Sequence, residues 1–170
     1  DYWTKSINFS AKAQYILPSG LTIQGSVQKI SPNGGAIYLY DGGVTLKLNR
    51  WTLEEEFLHK HYTNKTFSDV NAIDALVCYK IPLQHIFDHM SFLARYDQMD
   101  DHSNGVLNEK GALQTDDAAR KRITGGITFS FAKKINADIR INYEKYFYDE
   151  QVLAKPSERD KAVIELMVHF

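Results

Sequence analysis

An apolar residue at every second position recurs in nine stretches of this sequence, and that period belongs to strands, whose successive side chains point to opposite faces. The first stretch sets Ile7, Phe9, Ala11, Ala13 and Tyr15 against Asn8, Ser10, Lys12 and Gln14, and Pro18-Ser19-Gly20 then reads as a tight turn. The second carries Leu21, Ile23 and Val27. The third runs from Ile37 to Leu48, with Gly42-Gly43 inside it predicting a bulge or sharp bend. Asn49-Arg50 is a two-residue connection to Trp51, Leu53 and Phe57 of the fourth. Five more follow, centred on Ile73 to Lys80, Met90 to Asp97, Arg122 to Phe131, Ala137 to Glu144 and Lys161 to Phe170. Helical periodicity is scarce throughout, so the expected class is all-β.

A chain of 170 residues is long enough for a single domain. Its net charge of -1 offers no pull toward nucleic acid or another polyanion. With 44% apolar and 24% charged residues it is too polar for a bundle of spanning helices, and no run approaches the ~18 apolar residues such a helix needs. A transmembrane barrel would show the same bland hydropathy, because half of each strand faces water. Cys78 stands alone, so neither an intrachain disulfide nor a cysteine metal cluster is expected. Residues 1–6 are polar and carry no targeting pattern, as in mature sequence or a point partway through a longer chain.

Three patterns separate a barrel from a sandwich. Connections alternate between short (49–50, 132–134) and long (61–70, 99–119, 148–160), with a medium one at 81–89, as expected of an up-and-down antiparallel barrel with tight turns at one rim. Aromatic residues on the apolar face gather toward strand ends, with Tyr15, Trp51, Tyr79, Phe131 and Phe170 at the short-turn rim and Tyr38, Tyr40, Tyr96 and Tyr143 toward the other. The opposite face carries many basic and acidic side chains and must therefore be wet. Glu55 conflicts with this layout: it is in phase with Leu53 and Phe57, and a local bulge or a subunit interface would relieve it.

The ending from Lys161, with Leu166, Val168 and Phe170 in one phase, resembles the terminal strand of bacterial outer-membrane barrels, whose final aromatic is the signal to the assembly machinery. Ala94-Arg95-Tyr96-Asp97, the hairpin from Ile123 through Ala132-Lys133-Lys134 to Tyr146, and Glu165 to Phe170 together resemble the C-terminal half of a porin of the phosphate-selective porin O and P family, in its Bacteroidetes form. The resemblance implies a Gram-negative outer-membrane location and a trimeric barrel of about sixteen strands, of which nine are here. It also implies passive conduction of small hydrophilic solutes, including phosphate-like anions, with no cofactor and no catalysis. Such families use a ladder of arginines; this chain offers Arg95, Arg122 and Arg140 on a wall balanced in charge.

The expected pore-lining residues are Lys47, Lys80, Arg95, Asp97, Arg122, Asp138, Arg140 and Glu144, since rings of charge select among ions. The plainer reading has the arginines pairing across strands with Asp97, Asp138 and Glu144. His59 and His61 share a face but lack a third ligand nearby in sequence, so a solvated strand end is expected rather than a metal centre. Asp100, Asp101, Asn104 and Glu109 follow no calcium-loop spacing and read as a polar loop. Glu54 and Glu56 read as charged wall rather than paired catalytic acids. Two rivals to a pore are a soluble β-sandwich or lipocalin-like binding module and an outer-membrane lipid hydrolase, for which Ser103 beside His102 is the local candidate.

Overall fold

The computed structural model of the chain describes residues 7–31, 35–131, 136–150, 155 and 158–168. Eleven strands appear in it: β1 (Phe9–Ile16), β2 (Leu21–Ile30), β3 (Ile37–Leu48), β4 (Trp51–Tyr62), β5 (Val70–Pro82), β6 (Phe87–Met99), β7 (His102–Leu107), β8 (Leu113–Asp117), β9 (Arg120–Phe131), β10 (Ala137–Tyr148) and β11 (Lys161–Val168). Nine of them form one antiparallel sheet in the order β1-β2-β3-β4-β5-β6-β9-β10-β11, which is chain order apart from the inserted β7-β8 hairpin. The protein is thus all-β and up-and-down. No helix among the described residues is long and apolar enough to cross a membrane, which has no bearing on strands.

Local chemistry sets the turns. Gly20 takes φ 87°, a left-handed value that glycine adopts without penalty, and a Cβ there would overlap the carbonyl oxygen of Lys47. Asn49 reverses β3 into β4 at φ 49°, tolerated because its short polar side chain suits that region. The ends that join β1 to β2, β3 to β4, β5 to β6 and β9 to β10 lie at one rim, and those that join β2 to β3, β4 to β5, β6 to β9 and β10 to β11 at the other. The expected alternation of connections is present. Gly42-Gly43 makes no bulge: register runs unbroken from Gln24↔Gly43 to Gly43↔Glu56, and the small residues simply leave space beside Gln24.

Because register is continuous apart from a shift between Phe87 and His89 on β6, one face can be followed across the whole sheet. A single row reads Tyr15, Ile23, Val44, Glu55, Ala75, Tyr96, Ile123 and Lys145. The next toward the short-turn rim includes Leu46, Leu53, Val77, Ala94, Gly125, Tyr143 and Ala162. Glu55 therefore does stand on the apolar face, with no bulge to turn it away, beside a shallow hollow of about 610 Å³ floored by Ala75 and Ala94. Trp51 and Tyr79 meet at 4.5 Å between ring centroids, tilted by 40°, at the short-turn rim, where Phe87 also meets Phe129 and Phe131. Tyr38 and Tyr40 stack at 6.1 Å toward the other.

This face has no layer over it. Ile141, Tyr143, Ile164 and Leu166 are 45%, 51%, 75% and 68% exposed, and no large side chain in the described residues is fully buried. The accessible surface is 11966 Å², whereas a compact monomer of 19.5 kDa presents roughly 8,500 Å². The few buried residues are scattered and small: Ser31, Val70 and Ala118 lie near the long-loop rim, Ala137 at the start of β10 and Thr124 within β9, so they form no common core. β1 and β11 each have one strand neighbour and do not pair with each other, so the sheet has two open edges among the described residues.

Candidate functional site

The opposite face is where polar chemistry collects. Two adjacent rows cross β4, β5, β6, β9 and β10: Glu56, Asp74, Asp97, Arg122 and Tyr146 in one, and Glu54, Leu76, Arg95, Thr124 and Glu144 in the other, which continues to Lys161 on β11. Strand geometry sets neighbouring side chains in a row about 5 Å apart, within reach of long charged groups. Arg95 Nε donates to Asp74 Oδ2 at 2.7 Å, and its Nη2 reaches Asp74 and, at 2.8 Å, Asp97 Oδ1. Arg122 Nε donates to the other oxygen of Asp97 at 2.8 Å. Arg122 Nη1 then lies 3.4 Å from Glu144 Oε2 and 3.3 Å from the Tyr146 hydroxyl. That hydroxyl donates to Glu144 at 2.8 Å, and Lys161 Nζ closes the chain at 3.5 Å.

Three carboxylates and three cations alternate in this network. Each arginine sits between acids, so its charge is compensated locally and its donors are largely engaged. Arg140 makes a separate pair with Glu165 at 3.4 Å, nearer the short-turn rim. Lys47 and Lys80 lie on the same face near that rim and outside the network, as does Asp138. All eight expected wall residues thus share one face, but only Arg95, Asp97, Arg122 and Glu144 are joined. Asp74, Tyr146 and Lys161 complete the network; their strand phase is visible in the sequence, whereas their pairing depends on register.

Beside the network is a hollow of about 600 Å³. Five carboxylates (Glu54, Glu56, Asp74, Asp97, Glu158) and three guanidiniums (Arg95, Arg120, Arg122) line it, an excess of two negative charges. Glu54 and Glu56 make no ion pair or hydrogen bond among the described residues, so the excess rests on them. Arg120 is held at the long-loop rim by Asp117 at 3.1 Å and Glu158 at 3.4 Å, and Lys155 reaches Asp117 at 2.9 Å. Burial pushes the Asp117 carboxyl up, but the hydrogen bond from Lys155 and the Arg120 cation together hold it below the usual range.

The long loops pack on one another. Ser68 N donates to Ser103 Oγ at 2.9 Å, and Asn71 donates to Asp100 Oδ2 through its backbone at 3.0 Å and its side chain at 2.7 Å. Asp100 is thereby used within the protein, Asp101 accepts from Thr115, and Asn104 caps Val106, so the polar residues of this loop are dispersed. Ser103 and His102 do not form a visible dyad: Ser103 Oγ accepts from Ser68, and His102 Nδ1 is buried without a partner. The third donor missing near His59 and His61 in sequence is present in space, since the turn after β4 returns Asp69 to them. Leu166 and Val168 lie on the apolar face of β11 at its open edge, and Phe170 lies outside the described residues. Comparison with known protein families, curated proteins and solved structures returned no match for this chain.

Proposed function

We propose that this chain forms part of the wall of an outer-membrane β-barrel pore, through which small hydrophilic solutes diffuse passively. One observation carries the reading: a nine-strand up-and-down sheet with an uncovered apolar face and a charged opposite face. On the order of twenty large apolar side chains stand exposed, each about half so, which at about 1 kcal/mol apiece amounts to roughly 20 kcal/mol of unfavourable hydration. That exceeds the usual 5–15 kcal/mol of net domain stability, so the face calls for lipid or protein against it. Lipid matches the aromatic residues near both rims of the band.

On this reading the short-turn rim faces the periplasm, the polar face is wet lumen, and the open edges of β1 and β11 take further strands of a barrel of about sixteen. A homotrimer, a Gram-negative outer-membrane location and recognition of the β11 ending by the assembly machinery belong to the same proposal. Mechanism then means wall chemistry. Arg95 and Arg122 are clamped between acids, so they hold the wall rigid instead of presenting a ladder of free cations to phosphate. Glu54 and Glu56 set the local field, and the pore is a general one with a mild preference for cations.

Fractionation and electrophysiology test it. The barrel completed by the further strands this reading requires partitions in cells into the outer membrane and runs as a heat-modifiable band; in planar bilayers it conducts, and Glu54→Gln with Glu56→Gln shifts the reversal potential toward anions. Arg95→Glu with Arg140→Glu shifts it toward cations. Unchanged reversal potentials in both remove these residues from the solute path. Solubility without detergent would favour the rival reading of an apolar-ligand binder, for which the hollow at Ala75 and Ala94 is the seat.

A further inference from the structure

We infer that His59, His61 and Asp69 form a binding site for a borderline divalent transition cation, with zinc the reference ion. Residues two apart on a strand share a face, so both imidazoles project together at the long-loop end of β4. The turn over 63–69 then folds Asp69 back: its Oδ1 accepts from Tyr62 N at 3.0 Å and its Oδ2 lies 2.7 Å from His61 Nδ1. One donor atom from each of the three residues lies within 4.8 Å of the others. Tetrahedral zinc with bonds of 2.0–2.1 Å needs separations of about 3.4 Å, so the ion replaces the 2.7 Å contact of His61 with Asp69 while side-chain rotation closes the wider pairs.

The surroundings prepare the imidazoles for a metal. Asn71 spends its Nδ2 on Asp100, which turns its Oδ1 to His59 Nδ1 at 2.7 Å. His59 therefore donates from Nδ1 and keeps a lone pair on Nε2, the arrangement that outer-shell partners impose on ligating histidines. Its ring is held between Tyr40 and His61, with centroids 6.1 and 6.3 Å away. Two imidazoles and one carboxylate suit zinc, copper or nickel rather than calcium or magnesium, and leave a coordination position for water. His61 and Asp69 are 44% and 41% exposed at the side chain, so an ion has a way in. Bound there, it would cross-link β4 to the 63–69 turn and, through Asn71 and Asp100, stiffen the seat of the β7-β8 hairpin.

The site does not depend on the pore reading, and its test is separate. The full chain, folded in whichever of plain buffer or detergent keeps it monodisperse and freed of metal with chelator, is titrated with cobalt(II) and then with zinc. Expected are one ion per chain, a visible d–d absorption of tetrahedral strength that zinc abolishes, and a loss of affinity of roughly tenfold or more in His59→Ala, His61→Ala and Asp69→Ala. His85→Ala, outside the cluster, should bind as the parent does. Should a single alanine variant lose the parent's β-sheet circular dichroism, His61→Gln and Asp69→Asn give the same reading with less change of shape. Absence of saturable uptake by the folded parent overturns the site, as does unchanged affinity in folded His61 variants.

Discussion

On β6, Ser91 and Phe92 are neighbours in the chain and stand on opposite faces of the sheet. Phe92 packs in a row with Tyr79 and Ile127 and is 40% exposed with nothing above it; Ser91 sits between Lys80 and Thr128 on the charged face. The first face is predominantly apolar, Glu55 and Lys145 excepted, and that character is a property of each residue separately. The second is held by specific partners, Arg95 to Asp74 and Asp97, and Arg122 to Asp97 and Glu144. Substitutions should therefore act one at a time on the apolar face and in concert on the charged one.

The largest expected effect sets the two faces directly against each other. On the proposed membrane reading, Phe92→Arg should cost about 2–4 kcal/mol in vesicles, the penalty for a cation in a lipid-facing band, whereas Ser91→Arg should stay within about 0.5 kcal/mol. Denaturant titration of the folded, vesicle-inserted protein measures both, and equal losses would erase the distinction between lipid and water. A smaller effect tests concerted behaviour. Arg122→Ala leaves Asp97 and Glu144 facing each other and should cost about 1–3 kcal/mol. Asp97→Asn in the same chain should recover part of that loss, a coupling that a double-mutant cycle reads out. Strict additivity would mean the network is a set of independent pairs.

The smallest effect lies where the charged face passes into the loops. Asp117, held below the usual carboxylate range against Arg120 and Lys155, adds stability that is complete above its unfolded value of about 4 and is lost as pH falls through its lower folded value. The hydrogen bond to Asp117 raises Lys155, whose share is complete below its unfolded value and lost as pH rises through the higher folded one. The protection of β8 amides, corrected for the intrinsic pH dependence of exchange, should fall below about pH 4 and change little between 5 and 9, with the apolar strands unaffected. Protection that is flat with pH would show that this rim is held by packing alone.

Nine sheet strands were readable from period two because each buries or bares a whole face at once, and a one-residue slip would reverse it. β7 and β8 were not: His102–Leu107 and Leu113–Asp117 are short, polar and interrupted by Gly105, and their order comes from docking on Phe67 and Ser68. The Gly42-Gly43 expectation failed since glycine permits a bulge without requiring one, and pairing on both sides of β3 kept the register even. Asp69 was invisible as a partner of His61 because eight positions of chain separate them and only the turn's path decides that they meet.

By itself the amino-acid order determined the strands, their antiparallel succession and the opposition of an apolar to a charged face, since these follow from local stereochemistry and from the water preference of single side chains. Which acid holds which arginine, which carboxylate joins the histidines and where the wall stays uncovered were decided only in three dimensions. Those properties depend on inter-strand register and loop closure, and each brings together residues that the chain keeps far apart.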